Sequence, residues 1–221
     1  MFKVFWCDLH NHTCASPCAD PELTPDVAVA VAIDRGLDVL AITDHNTAEN
    51  IEAAQRAAIG TRLTVIPGIE ITTQEEVHVL ALFATAETAH RFVAEVYGAG
   101  QRRTHREAST RDVAGLIDVI YRYNGIAIAS HIDRMLFSVL SHYGRIPDGV
   151  RFDALEVSAA CTIAQCRERY PGLASATMIT ASDAHCIADI GRACIRIKMA
   201  APTLEELRCA FAHTEGRAII G

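Results

Sequence analysis

Cys7-Asp8-Leu9-His10-Asn11-His12-Thr13 follows the apolar run Val4-Phe5-Trp6 and sets two histidines one residue apart where a strand should end. In extended backbone, side chains two positions apart leave the same face, so His10 and His12 present both imidazoles to one point in space. That is a metal-ligand geometry. An isolated pair of this kind is more often a surface or packing feature than a site, so its meaning depends on whether later strands end in the same chemistry.

Working outward, they do. Apolar runs of strand length lie at residues 4–7, 38–43, 63–66, 77–83, 126–130, 154–157 and 178–181, with further candidates at 193–197 and 218–220. Helical stretches fall between them: one capped by Thr24-Pro25 and ending at Arg35-Gly36, one from Thr47 to about Ala58, then residues 87–98, 112–123 and 204–213. Such alternation predicts a mostly parallel α/β sheet, open or closed into a barrel. Ligand groups in these folds collect at the carboxyl ends of strands. Here strand ends carry His10 and His12, Asp44 and His45, Glu70, His131, then Asp183 and His185, and His78 lies near the start of the fourth strand. The third strand is expected to stop at Pro67, since proline fits the end of a central strand better than its middle. Ionisable groups gathered this way cost desolvation energy unless they share a cation.

The chain has 221 residues, half of them hydrophobic, and no linker composition, which fits one domain over 1–221 with a substantial core. A net charge of −7 favours a small phosphorylated ligand over a long polyanion and leaves short single-stranded nucleic acid as a lesser option. The basic cluster at residues 101–106 reads as a solvated face rather than a phosphate contact. The eight cysteines do not form a stapling framework, and the first residues run into a strand instead of a leader, so a cytoplasmic protein with reduced thiols is expected. No apolar run approaches the ~20 residues needed to cross a bilayer, and no membrane association is expected.

The motifs DLHNHT at 8–13, TDHN at 43–46, PGIE at 67–70, VHVLAL at 77–82, SH at 130–131 and SDAH at 182–185 occur in one order over nearly the whole chain. They resemble the PHP family, the polymerase and histidinol phosphatase metal-dependent phosphoesterases. The resemblance implies a distorted (β/α)7 TIM-like barrel with two or three divalent ions at the strand carboxyl ends. It implies that His10, His12, Glu70 and Asp183 hold one ion, that Glu70 bridges to a second held by His78 and His131, and that His45 and His185 hold a third. Relatives often complete the third set with a loop histidine, which is absent here. Asp20 is the substitute this loop offers, with Cys18 as its rival.

A mixed imidazole and carboxylate set suits zinc, manganese or iron. The implied reaction is hydrolysis of a small phosphomonoester or nucleotide phosphate by a metal-bridging hydroxide, phosphatase-like or nucleotidase and exonuclease-like, with Glu70 and Asp183 essential. Arg134 and Arg192 are the candidates to take up charge on the phosphoryl group. Asp8 and Asp44 are expected to orient neighbouring groups rather than bind metal. His90, His105, His142 and His213 lie outside every motif. Two other readings remain open: an amidohydrolase-type metal hydrolase, which also opens with HxH, and a noncatalytic metal-binding regulatory module.

Overall fold

The computed structural model describes residues 1–98 and 107–220, so the basic cluster read at 101–106, His105 included, lies outside the described residues. The chain runs β1 (Lys3–Asp8), α1 (Pro25–Asp34), β2 (Val39–Ile42), α2 (Ile51–Ala57), β3 (Thr64–Thr72), β4 (His78–Leu82), α3 (Ala86–Tyr97) and α4 (Val113–Arg122). It continues through β5 (Ile126–Ala129), α5 (Val139–Tyr143), β6 (Ala154–Val157), α6 (Ile163–Arg169), β7 (Met178–Thr180), β8 (Ile195–Met199), α7 (Leu204–Phe211) and β9 (Ala218–Ile220). One sheet takes the order β7-β6-β5-β4-β3-β2-β1-β8-β9 and curls into a nearly closed barrel. The backbone just past β1 meets the backbone just past β7 through a parallel bridge between Asn11 and Ala184, where His12 N–H donates to Ala184 O at 2.9 Å. Among the described residues no helix is long and apolar enough to cross a membrane.

Strand alternation sorts the side chains into two layers. Leu40, Ile42, Val79, Ala81, Ala127 and Ala129 join Phe83, Phe92 and the helices on the outside. Cys7, Val39, Ala41, Ile66, Leu80, Leu82, Ile126, Ile128, Ala154 and Ile179 fill the inside, joined by Leu207 and Phe211 of α7. By the same parity Glu70 shares a face with Ile66 and Gly68, His78 with Leu80, and Glu156 with Ala154. Each inward row therefore turns from apolar to ionisable at one rim of the barrel.

Three expectations require correction. β3 does not stop at Pro67 but runs on to Thr72, because it changes partner there: Ile42↔Pro67 is its last pair with β2 and Gly68↔Leu82 its first with β4. Pro67 needs no donor at that point, and its carbonyl still accepts Phe83 N–H at 2.8 Å. Secondly, the sheet is not mostly parallel: β4 is antiparallel to both β3 and β5, and β8 to both β1 and β9. The first residue of β4, His78, is thus paired with Thr72 at the far end of β3, which explains why this candidate ligand lies at a strand's start while others follow strand ends. Finally, the helix expected from Thr47 begins at Ile51, since Thr47 Oγ1 accepts Glu49 N–H in a tight turn and Asn50 takes the cap position.

Candidate metal centre

Glu70 sits at the middle of the rim, 1% exposed, and its two oxygens face different imidazoles. Oε1 lies 3.0 Å from His78 Nδ1 and 3.4 Å from His131 Nε2. Oε2 lies 3.3 Å from Nε2 of His10 and of His12 and 3.1 Å from His45 Nδ1, yet makes no hydrogen bond. A buried carboxylate oxygen ringed by nitrogens without a bonded proton is the signature of a cation position.

The donor spacing fits one. Nε2 of His10 and His12 are 3.2 Å apart, each 3.3 Å from Glu70 Oε2, and 3.2 and 3.1 Å from Asp183 Oδ1. Five distances among these four donors thus lie between 3.1 and 3.3 Å, a spacing that lets one cation sit ~2.0 Å from each, the length of a zinc–nitrogen or zinc–oxygen bond. Among the described residues two further groups converge in the same way, His45 with Glu70 and His78, and His12 with His45 and His185. The residues expected to hold the ions are thus brought together, apart from the third site's carboxylate. Asp20 Oδ1 accepts Glu22 N–H at 2.9 Å, although Asp20 N–H donates to His185 O at 2.8 Å and keeps the loop beside that histidine. Cys18 is exposed and belongs to none of the convergent groups.

Behind the donors lies a layer of orienting bonds. His10 Nδ1 donates to Glu156 Oε2 at 2.8 Å, which leaves Nε2 for the cluster. His12 Nδ1 donates to Ser16 Oγ at 3.0 Å, and Ser16 Oγ–H donates to Asp44 Oδ1 at 2.7 Å. Asp44 also accepts Thr13 N–H and Oγ1–H, each at 2.6 Å, so it ties the first motif's loop to the second. His185 Nδ1 donates to Asp183 O at 2.9 Å. Asp8 accepts Ser182 N–H at 3.0 Å and Gly191 N–H at 2.9 Å, and so clamps the loop that carries Asp183 and His185. Asp8 and Asp44 accordingly orient other groups, while Glu156 was not anticipated. The signal was available: a lone acid inside the otherwise apolar Ala-Leu-Glu-Val.

The electrostatics follow from burial and proximity. Burial alone would raise the carboxyls of Glu70 and Asp183, but the facing imidazoles, His10 first, hold both well below the usual carboxylate range. Burial opposes protonation of His10 and His12, yet Glu156, Glu70 and Asp183 raise His10 well above its ordinary value, and Asp183 with Glu70 lifts His12 to about 9. Burial and the neighbouring imidazoles push His45 down to about 2 despite Glu70. The buried carboxyl of Asp8 rises to about 6. Backbone strain gathers here too: His131, Asp183 and Asn46 have φ of 29°, 48° and 59°.

The cluster floors a cavity of about 500 Å³ lined by Thr72, Glu76, Arg134 and Phe137 as well as by residues of the cluster. Arg134 Nη1 lies 2.8 Å from Asp183 Oδ2 with its side chain 47% exposed at the mouth. Arg192 does not line this cavity; its guanidinium turns to Asp189 at 3.4 Å. His142 is exposed on α5 and is also outside the lining.

Comparison with known proteins agrees with this geometry. Over 112 residues, 48% of this chain and 36% of the relative, the sequence is 37% identical to the 5'-3' exoribonuclease Rnm of Salmonella typhimurium. It is 35% identical over 106 residues to the Escherichia coli protein of the same name, covering 46% of this chain and 34% of that one. The chain spans about a third of the length of these curated relatives. In fold it is similar to a lesion-specific endonuclease from Pyrococcus furiosus, with a TM-score of 0.84 at 18% identity over 98% of this chain and 58% of that one. A metal-dependent phosphoesterase from Bifidobacterium adolescentis aligns with a TM-score of 0.62 at 21% identity, over 81% of this chain and 87% of that one. Two of these names speak of nucleic acid, against the small-ligand emphasis drawn from net charge. The PHP domain model matches residues 8–164, and the chain, with its buried imidazole and carboxylate cluster, belongs to the PHP domain family of metal-dependent phosphoesterase-type hydrolases.

Proposed function

We propose that this site hydrolyses phosphoester bonds of nucleic acid and releases nucleotides from the end of a single strand. The observation that carries the reading is the Glu70-centred cluster at the floor of one cavity of about 500 Å³. That volume is in the range of pockets for nucleotide-sized ligands. The exoribonucleases matched over just under half of the chain support a nucleic-acid substrate. A chain of net charge −7 suits a strand end held locally better than a long backbone tracked by basic patches.

In this reading His10, His12, Glu70 and Asp183 hold one ion, Glu70, His78 and His131 a second, and His45 and His185 a third. Asp20, tied by its N–H to the His185 carbonyl, is the proposed carboxylate of the third position. Divalent ions bound by these donors would supply Lewis-acid polarisation of the phosphoryl group and a lowered pKa for water, for which zinc, manganese and iron are the candidates. Arg134, held by Asp183 Oδ2, aims a fixed positive charge at the mouth where the phosphoryl oxygens enter. Arg192 has no part in this proposal.

The test is a hydrolysis panel with each metal on short single-stranded RNA and DNA, duplex, mononucleotides and sugar phosphates. Single strands should yield mononucleotides, and a mononucleotide phosphomonoester is the second substrate the cavity fits. Glu70→Gln and Asp183→Asn should each lower turnover by at least about a hundredfold in protein that stays soluble. Undiminished activity in either variant overturns the mechanism.

A further inference from the structure

The loop between β5 and α5 carries three groups at three-residue intervals: His131 in the cluster, Arg134 against Asp183, and Phe137 on the cavity wall. It is pinned along its length. Ile132 N–H donates to Glu156 O at 2.8 Å, Ser158 N–H and Oγ–H both donate to Asp133 at 2.7 Å, and Ser138 Oγ–H donates to Arg134 O at 2.8 Å. At its far end His78 N–H donates to Phe137 O at 2.8 Å.

Phe137 is held in a conformation that bulky residues rarely adopt, with φ of 60°. One face of its ring lies nearly parallel on the His78 imidazole, at 4.6 Å between centroids and 14° between planes. The residue is nonetheless 44% exposed. Core packing therefore does not account for the ring, and a strained, half-exposed aromatic group backed by a cluster histidine has the form of a binding surface. The rest of the lining is chiefly ionisable or hydroxylated, which suits an amphipathic occupant with a flat π-face better than an aliphatic side chain.

We propose that Phe137 is the platform on which the base of the reacting nucleotide stacks while its phosphate meets Arg134 and the cluster. The proposal rests on the nucleic-acid reading of this same site and names what that site recognises. Phosphate and base are joined through a sugar, and here the cation and the ring that would receive them are joined through two residues of one pinned loop. Every base has a π-face, so selection by such a platform is for the presence of a base, largely irrespective of sequence. Met135 and Leu136, 89% and 69% exposed, belong to the same loop but do not line the cavity.

The experiment compares kcat/KM for short single-stranded oligoribonucleotides whose terminal residue is either intact or abasic, at each end in turn. The wild type should prefer the intact end. Phe137→Ala should reduce that preference by about tenfold or more, through KM, and Phe137→Tyr should restore it. Leu136→Ala should keep the wild-type preference; a loss as large as that of Phe137→Ala would mean loop distortion and would overturn the platform. Equal wild-type cleavage of both oligonucleotides removes the platform alone, whereas cleavage of neither removes the nucleic-acid reading and the platform with it. Independently of turnover, adenosine 5'-monophosphate should quench the added indole emission of Phe137→Trp relative to wild type, and ribose 5-phosphate should not. Equal quenching by the two ligands counts against base stacking.

Discussion

Glu156 is 0% exposed, and only one of its oxygens has a hydrogen-bond partner among the described residues. A buried carboxylate in that position costs desolvation energy, and its return is the bond to His10 Nδ1, which sets the tautomer and aims Nε2 at Glu70 and Asp183. Glu156→Gln keeps the shape but removes the charge that fixes this proton. Metal affinity should fall by about 10 to 100-fold, read by competition with a chromophoric chelator, with the fold retained by circular dichroism. The cluster residues themselves were legible because each stands in or beside an apolar strand as an abrupt break in its pattern. Glu156 breaks its strand just as abruptly, but no motif marks that strand, so the break alone did not assign it to the site. Arg192 shows the opposite failure: closeness in sequence to His185 suggested a role, but its side chain pairs with Asp189 instead.

At the level of elements, β3 carries the site because it switches neighbours in mid-course. Gly68 stands at the switch, and a Cβ there would come within 2.7 Å of Thr43 Cγ2, 2.8 Å of Leu82 Cδ2 and 3.1 Å of the Ile42 carbonyl oxygen. Gly68→Ala should therefore push β3 away from β2 and β4, with a stability loss of about 1–3 kcal/mol by urea unfolding. Metal content should fall with it, since Glu70 is two residues farther along the same inward row. Periodicity revealed the strands, most helices and their order, but could not reveal direction: Val77-His78-Val79-Leu80 reads the same way up or down. The reversal of β4 and the passage of β3 through Pro67 are tertiary facts, decided by which neighbour supplies the hydrogen bonds.

For the whole molecule, the cluster joins distant parts of the chain, since the first motif meets the loop after β7 at both the Asn11–Ala184 bridge and the His12–Asp183 contact. Ions bound there should stabilise the closed barrel by mass action, by about 4 kcal/mol when free metal is a thousandfold above Kd. Exhaustive chelation should accordingly lower Tm, and readdition of zinc, manganese or iron should restore it; an unchanged Tm would show that closure does not depend on the ions. The same bridge has a consequence for biosynthesis. His12 and Asp183 are 171 residues apart, so while the ribosome is still making the first six strands the four-donor set of His10, His12, Glu70 and Asp183 is incomplete in the nascent chain. Capture of that ion is thereby deferred until the seventh strand and its trailing loop have emerged.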